Sequence, residues 1–243
     1  MANMELGLQN NEFTNIWNAL KEHDLSAEKE EASESLKLAK TGRKLQRLLC
    51  TPQRIQKRFR GREFSAQKHF IVAVSKIKYS EGNEIHWLLL KRIYQEVMVT
   101  DDEPARYGKH WEKVGFQGED PATDLRGAGL FGLCQLFYLV TEGIDKERLQ
   151  RLKDFANEEN NGFPLAVVGI NFTFLLLNRL RKGGFDGLNS DPLPYLNRLY
   201  RASFIEFERF WSEKKRSIAD FGQILAQVKN GIKKPRRFLE TRE

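Results

Sequence analysis

The sequence predicts an all-α protein, and three of its features support this fold class. Apolar residues recur at steps of three and four in most segments, which is the spacing of one face of a helix. Residues typical of helix starts and ends separate these segments, and no internal repeat or series of alternating strand-like segments interrupts them. At 243 residues the chain is near the upper limit for one hydrophobic core. We therefore expect one main domain of about eight or nine helices with an N-terminal helical extension.

The first part of the chain, residues 1–62, predicts this amphipathic extension. Apolar residues at helical spacing are followed by a charged stretch from Ser26 to Lys40, in which apolar residues are sparse. Pro52 is a suitable first residue for a further helix, which Gly61 would end. The apolar residues of these segments are Phe13, Ile16, Trp17, Leu20, Leu36, Leu38, Ile55 and Phe59.

The predicted main domain covers residues 63–235, and its first half contains two helical patterns. Phe70, Val74 and Ile77 suit a helix, although the residues IVAVS alone are also compatible with a short strand. Asn83 is predicted to cap the next helix. The inward face of that helix holds Ile85, Leu88, Leu89, Ile93 and Val97.

The second half of this domain predicts further helices. One runs from Ile144 to Phe155, and Gly162 and Pro164 mark the start of the next. The apolar run from Phe163 to Leu177 is about 15 residues long, whereas a membrane span needs about 20, so we predict a core helix. Asn171 within it is expected to bond to a neighbouring helix.

The last helices carry an aromatic seam and a cap. The seam is predicted to lie in the core, and Ser217 is predicted to cap the final helix. Residues 236–243 are expected to form a C-terminal tail. The aromatic residues of the seam are Tyr195, Tyr200, Phe204, Phe207, Phe210 and Trp211.

The charge distribution favours an acidic partner surface. The chain carries a net charge of +7, and the stretch from Arg43 to Arg62 holds eight Lys or Arg and no acid. The residues KKPRR at 233–237 form a second basic cluster. An anionic membrane or a microtubule would suit the first stretch, but a solvated face is the simpler interpretation. Nucleic acid is not expected, because no aromatic platform accompanies either cluster.

Composition also indicates where the protein is located and argues against disulfide bonds and a metal site. The two cysteines and four scattered histidines form no disulfide framework and no metal-ligand spacing. Neither a secretory signal nor a membrane span is predicted, and we expect a cytoplasmic protein. Cys134 lies within an apolar run and is expected to be an inert core residue.

Arg126 has an unusual position in the sequence. An apolar helix is predicted to begin at Leu125 with Thr123 or Asp124 as its cap, which would place the arginine in the first turn, where a cation is unfavourable. Gly127, Gly129 and Gly132 follow in the same predicted helix, where each glycine costs about 1 kcal/mol relative to alanine. Two local rules are thus broken, which is typical of a functional site.

The chain holds no phosphate-binding loop and no dinucleotide-binding turn, so it is not expected to bind a nucleotide by itself. A functional arginine would therefore need a phosphate that another protein carries. Its planar guanidinium suits the charge on a phosphoryl group in transfer, which points to a partner GTPase.

Residues 111–138, WEKVGFQGEDPATDLRGAGLFGLCQLFY, closely resemble the signature of the ELMO (engulfment and cell motility) domain family. FPLAVVGIN at 163–171 is similar to a second apolar segment of that family. Leu125 and Leu139 depart from it, since the family usually has Phe there. The positions that carry the resemblance are Trp111, Gly115, Phe116, Gln117, Pro121, Asp124, Leu125, Arg126, Gly127, Gly129, Leu133, Leu136 and Tyr138.

The resemblance implies a function. Single-domain members of the family act as GTPase-activating proteins for Arf and Arf-like GTPases and require the arginine of the motif, which corresponds to Arg126. Larger scaffold members, which serve Dock-type exchange factors, lack it. By resemblance, Arg126 is the catalytic residue, and the chain has no cofactor of its own because the partner GTPase holds GTP and Mg²⁺. A cytoskeletal or ciliary association is a further expectation.

The other motif residues are expected to support the motif or contact the partner. Trp111 and Phe116 are expected to be core anchors, and Gln117 either orients water or satisfies nearby peptide groups. Asp124 is expected to cap the helix and brace Arg126. Pro121 belongs to the motif, and the backbone is expected to require Gly115, Gly127 and Gly129.

Two alternatives stay open. Arg126 could form a structural ion pair with Asp124 or Asp120. The chain could also be a non-catalytic adaptor of the same fold, bound to a GTPase, a membrane or a microtubule.

Overall fold

The computed structural model describes residues 12–48, 62–186, 188, 191–213 and 216–242. These residues form eleven α-helices, two 3₁₀ helices and one π-helical turn, and they contain no strand. The all-α prediction is confirmed, and two of the helices are short, at five and six residues. The α-helices are α1 Glu12–Glu22, α2 Ser26–Leu48, α3 Arg62–Val74, α4 Glu84–Met98, α5 His110–Val114, α6 Gly129–Tyr138, α7 Lys146–Ala156, α8 Leu165–Arg181, α9 Pro192–Glu213, α10 Phe221–Lys233 and α11 Pro235–Glu240. The 3₁₀ helices are Pro121–Gly127 and Ile218–Asp220, and the π-helical turn is Leu139–Gly143.

Helix α1 packs its predicted apolar face into the core. Phe13, Ile16, Trp17 and Leu20 are all buried. The indole of Trp17 meets the rings of Phe70 and Phe131 edge to face, with centroids 5.1 and 5.9 Å away. Each buried side chain of this size contributes about 1.5–3 kcal/mol, so this helix is part of the folded unit. The predicted helix after Pro52 and the side chains of residues 43–62 lie outside the described part of the chain.

Helices α3 and α4 form where the apolar pattern predicted them. The IVAVS segment belongs to the end of α3 and the turn after it, so the strand interpretation is excluded there. Asn83 caps α4 as predicted, because its side-chain oxygen accepts hydrogen bonds from the N–H groups of Ile85 and His86. Helix α4 ends at Val99, which adopts a left-handed conformation with φ 54°.

Helices α6, α8 and α9 form the centre of the core. Cys134 of α6 is fully buried, and burial raises the pKa of its thiol, as expected of an inert core residue. The predicted aromatic seam is core: Phe163 lies against Phe207 and Trp211, with ring centroids 4.6 and 4.7 Å away. In addition, Phe172 of α8 meets Phe204 of α9.

Two smaller expectations have different outcomes. The Asn171 amide donates to the Val167 carbonyl oxygen of its own helix at 2.9 Å, so the expected bond to a neighbouring helix is wrong. Ser217 caps the 3₁₀ helix Ile218–Asp220 rather than the final helix, with the Asp220 carboxylate accepting the N–H of Ser217; α10 follows that 3₁₀ helix, and α11 comes after α10. No helix among the described residues is long and apolar enough to cross a membrane.

Candidate functional site

The segment that carries Arg126 is a 3₁₀ helix rather than the start of α6. Asp120 caps it by accepting the N–H of Ala122 at 2.9 Å, and Pro121 occupies its first position. Helix α6 begins only at Gly129. The predictions that Thr123 or Asp124 caps the apolar helix, and that this helix begins at Leu125, are therefore wrong.

Arg126 consequently lies in the last turn of a short helix. Carbonyl groups face outward at that end, so a cation is favoured there and the expected local cost is absent. Its Nε donates to the carbonyl oxygen of Thr123 at 2.9 Å. This bond holds the side chain in place through one nitrogen of the guanidinium.

The rest of the Arg126 guanidinium is available to solvent. The side chain is exposed, and no described carboxylate lies within 4.0 Å of it. The alternative of a structural ion pair is not found among the described residues, because Asp120 pairs with Arg106 instead. Neither terminal nitrogen donates to another described residue, so both are free to donate to an anion.

Asp124 closes the loop before the 3₁₀ helix. Its Oδ2 accepts the N–H of Gln117 at 2.7 Å. Burial raises the pKa of the Asp124 carboxyl, and the Gln117 bond and the charge of Arg126 oppose this rise. Asp124 thus fixes the loop and influences Arg126 by charge alone. The Gln117 side chain is exposed, and its amide makes no hydrogen bond to another described residue.

Trp111 and Phe116 anchor the motif in the core, as predicted. Both are buried, their rings meet edge to face with centroids 5.9 Å apart, and the indole N–H of Trp111 donates to the Arg106 carbonyl oxygen at 3.0 Å. Gly115 has φ 91°, and a Cβ on it would lie 2.1 Å from the Leu165 nitrogen. The motif therefore docks by its backbone against the start of α8.

Gly129 fixes the direction of the chain after Arg126. Gly129 has φ 53°, and a Cβ there would lie 2.4 Å from the Ser75 carbonyl oxygen. The next residue, Leu130, donates its N–H to the Ile77 carbonyl oxygen at 3.0 Å. The 3₁₀ helix is thereby joined to the segment after α3. Gly127 has no positive φ, and a Cβ on it would meet only the Phe174 ring, so the expected backbone requirement is not found there. Gly127 is exposed, and Pro121 is buried at the other end of the same helix.

Comparisons with known proteins agree with the motif. The model of the ELMO/CED-12 family matches residues 69–225, which is more than half of the chain. The chain belongs to the ELMO/CED-12 family. No solved structure shows significant similarity to it.

Curated relatives are also ELMO domain proteins. The chain is 28% identical over 203 residues to ELMO domain-containing protein 3 of Homo sapiens, covering 82% of the chain and 52% of the relative. It is 36% identical over 173 residues to ELMO domain-containing protein B of Dictyostelium discoideum, covering 70% and 60%. It is 34% identical over 151 residues to ELMO domain-containing protein 2 of Bos taurus, covering 60% and 51%. The chain therefore spans about half the length of the curated relatives it matches.

Two residues of the ELMO domain that support the site were not predicted from the motif. Arg106 Nη2 donates to Asp120 Oδ1 at 2.9 Å, and the guanidinium lies between the rings of Tyr79 and Tyr107, at 4.4 and 4.5 Å from their centroids. Asp120 in turn caps the helix that carries Arg126. The dipeptide Asp120-Pro121 is a usual signal for a helix start, and it predicts this cap better than Thr123 does.

The motif surface is separate from two open cavities among the described residues of this ELMO domain. Two open cavities of about 440 and 420 Å³ lie beside Lys234 and Arg237, and no motif residue lines either of them. In addition, no group of three metal-ligating side chains occurs within the described residues. The candidate site is thus an exposed arginine on a fixed backbone, which suits contact with another macromolecule.

Proposed function

We propose that this ELMO domain is a GTPase-activating protein for Arf or Arf-like small GTPases, to which it supplies Arg126. The observation that supports this proposal best is the exposure of the Arg126 guanidinium and the small number of hydrogen bonds that it makes. Arg126 is exposed, is held at Nε by the Thr123 carbonyl oxygen, and makes no described ion pair. An arginine that served only the fold would be expected to use its terminal nitrogens on its own protein.

The chemistry needs little more than this one group. During GTP hydrolysis, negative charge spreads over the oxygens of the transferred phosphoryl group, and an arginine from a partner stabilises that charge. A guanidinium is cationic and offers paired donors in one plane. Under this proposal, GTP and Mg²⁺ belong to the partner, and the ELMO domain contributes neither a nucleotide site nor a nucleophile.

Family membership supports the proposal in a limited way. The names of the relatives state only that they contain an ELMO domain, and the chain spans about half of their length. The motif is what links this chain to the activating members, because the resemblance includes the arginine at position 126. The residues that surround it hold the backbone in place rather than offer a second reactive group.

Single-turnover GTP hydrolysis by a panel of purified Arf and Arf-like GTPases tests the proposal. The wild-type chain is expected to accelerate at least one of them, and Arg126→Lys is expected to reduce that acceleration by about 10³-fold or more, as for other arginine fingers. Arg237→Lys is the matched control, since Arg237 is an exposed arginine outside the motif. Unchanged hydrolysis across the whole panel would contradict the proposal and favour the adaptor alternative.

The adaptor alternative has its own signature. The structure does not describe the side chains of residues 43–62, so their contact with an acidic membrane or a microtubule stays a prediction. A cytoplasmic, cytoskeletal or ciliary location also stays a prediction. Binding of this kind would weaken steeply with salt and would be insensitive to Arg126→Lys. Cosedimentation with microtubules and with anionic vesicles at two salt concentrations measures it directly.

A further inference from the structure

Phe174 lies exposed on the outer face of helix α8. The side chain is 42% exposed, although it belongs to an apolar run in which Phe172, Leu176 and Leu177 are fully buried. Residue 174 is two positions beyond Phe172, a rotation of about 200° around a helix, so it faces away from the core. Its ring makes no contact with another aromatic ring of the described residues.

The Phe174 ring lies directly beside the segment that carries Arg126. A Cβ placed on Gly127 would be 3.2 Å from Cδ2 and 3.6 Å from Cε2 of Phe174. The ring therefore rests against the backbone of the residue that follows Arg126. Because Arg126 and Gly127 are exposed as well, the three residues form one continuous surface. We call this surface the arginine patch.

The location of Phe174 distinguishes it from exposed apolar residues such as Leu38 and Ile218. Leu38 is 73% exposed and Ile218 is 57% exposed, and single exposed apolar side chains of this kind are common and need no explanation. Neither has a described contact with the 3₁₀ helix of the motif, whereas Phe174 borders it. Tyr107, which is 52% exposed, lies near the start of the same helix, but its ring is stacked on the Arg106 guanidinium. Phe174 is thus an exposed apolar ring that a partner of Arg126 meets beside the residue that follows it.

We propose that Phe174 is an apolar docking contact for the GTP-loaded GTPase that receives Arg126. This inference rests on the proposed function. A stable protein interface covers about 800 Å² on each partner, a patch roughly 30 Å across. Consecutive Cα atoms are only about 3.8 Å apart, so an interface centred on Arg126 includes Gly127 and the ring against it. The partner that takes the guanidinium therefore also buries Phe174.

The expected contribution is to binding rather than to the chemical step. The Phe174 ring carries no charge and cannot stabilise the phosphoryl group, whereas Arg126 acts on charge that develops in the transition state. Aromatic side chains are frequent anchors at the centres of interfaces. The exposed part of the Phe174 ring is the apolar area that the GTPase would cover. Because its burial favours association, removal of the ring is expected to weaken binding about tenfold.

The test compares affinity with the maximal rate. Single-turnover hydrolysis by the most responsive GTPase of the panel is measured against increasing concentrations of the full chain. Phe174→Ser is expected to raise the half-maximal concentration about tenfold and to leave the plateau rate unchanged. Ile218→Ser is the matched control, expected to change neither quantity. Phe174→Leu, which keeps most of the apolar area, is expected to recover most of the lost affinity.

A binding measurement makes the result independent of catalysis. The Arg126→Lys chain, with and without Phe174→Ser, is titrated against the same GTPase loaded with a non-hydrolysable GTP analogue. If the wild-type chain accelerates hydrolysis but Phe174→Ser leaves the half-maximal concentration and the binding curve unchanged, the docking inference is overturned and the proposed function stands. A lower plateau with unchanged binding also overturns it. Absence of any acceleration by the wild-type chain overturns the proposed function itself.

Discussion

Arg106 and Asp120 form an ion pair that joins the loop after α4 to the helix of the motif arginine. Arg106 Nη2 lies 2.9 Å from Asp120 Oδ1, and the same oxygen accepts the N–H of Ala122. The Nε and Nη1 atoms of Arg106 are buried without a hydrogen-bond partner among the described residues, and the only other carboxylate described near them is Glu81, 4.0 Å from Nε, so Asp120 is the closer counter-ion. One carboxylate thus serves as both counter-ion and helix cap.

Replacement of Asp120 is expected to destabilise the fold. Asp120→Ala removes the cap and leaves the half-buried Arg106 with only the longer contact of its Nε to Glu81, and we expect the free energy of unfolding to fall by about 2 kcal/mol. Asp120→Asn keeps an acceptor for the Ala122 N–H and should lose about half as much. Denaturant titration measures both values. Equal losses for the two variants would show that the carboxylate charge matters and the cap does not.

Two glycines three positions apart are expected to respond very differently to alanine. Both have left-handed φ values, but a Cβ at Gly115 would lie 2.1 Å from the Leu165 nitrogen, whereas Gly118 has open space around it. Gly115→Ala should therefore lower the free energy of unfolding by about 3 kcal/mol or more. Gly118→Ala should lower it by about 1 kcal/mol, from backbone strain alone. Similar losses in thermal or denaturant unfolding would contradict the docking of Gly115 on α8.

His86 is expected to make stability depend on pH. Burial, and to a smaller extent the charge of His23, lowers the pKa of His86 from 6.5 to about 4. Its Nδ1 also accepts the Ser80 N–H at 3.0 Å, which requires an unprotonated nitrogen. Between pH 4 and 6.5, His86 binds a proton in the unfolded chain but not in the folded one. The contribution of His86 to the free energy of unfolding is therefore full above pH 6.5 and is lost as the pH falls toward 4.

The size of this effect follows from the shift. A pKa difference of about 2.5 units corresponds to about 3 kcal/mol, lost between pH 6.5 and 4. His86→Asn keeps an acceptor for Ser80 and removes the titrating group, so its unfolding free energy should vary less over this range. Denaturant titrations at several pH values compare the two slopes. Parallel slopes would assign the acid sensitivity to other groups.

The exposed position of Arg126 predicts that its loss spares the fold. Its side chain makes one hydrogen bond, to the Thr123 carbonyl oxygen, and substitutions at exposed sites usually change stability by less than about 0.5 kcal/mol. Arg126→Lys should thus unfold at nearly the wild-type denaturant concentration while it loses activation. A large loss of stability would point to a structural arginine.

Trp17 tests whether helix α1 belongs to the core. The indole is buried against Phe70 and Phe131, so Trp17→Ala should lower the free energy of unfolding by about 4 kcal/mol. Leu38→Ala, at an exposed position of α2, is the control and should change it by less than about 0.5 kcal/mol. Thermal unfolding of the two variants measures the difference. Little effect of Trp17→Ala would indicate an extension that is only loosely attached.

The sequence predicted those features that depend on local pattern. The cap at Asn83 and the buried face of α4 follow from residues a few positions apart, and the structure contains both. The start of α6 was missed because the left-handed Gly129 is fixed by Ser75, 54 positions earlier, a contact that no local pattern encodes. An apolar run likewise cannot reveal that Phe174 faces outward beside Gly127, since that depends on how α8 packs.

The site residues also divide into those that the sequence motif identified and those that depend on tertiary contacts. Resemblance identified Arg126, but only the structure shows that the arginine ends a 3₁₀ helix and that its terminal nitrogens have no described acceptor. The sequence suggested Asp120 as a partner of Arg126, but its ion pair with Arg106 was not predicted, because an ion pair between a loop and a cap leaves no periodic signal. The motif string therefore identified the residue, and tertiary contacts determine how it is presented.

The 3₁₀ helix is held at both ends, by Asp120 with Arg106 at its start and by Gly129 against Ser75 after its end. Such a segment loses little backbone entropy when it meets another molecule, because its φ and ψ angles are already restricted in the free protein. Only side-chain rotamers remain to be ordered on association, at about 0.5–1.5 kcal/mol each. Much of the conformational penalty of recognition is thus incurred during folding, before any encounter takes place.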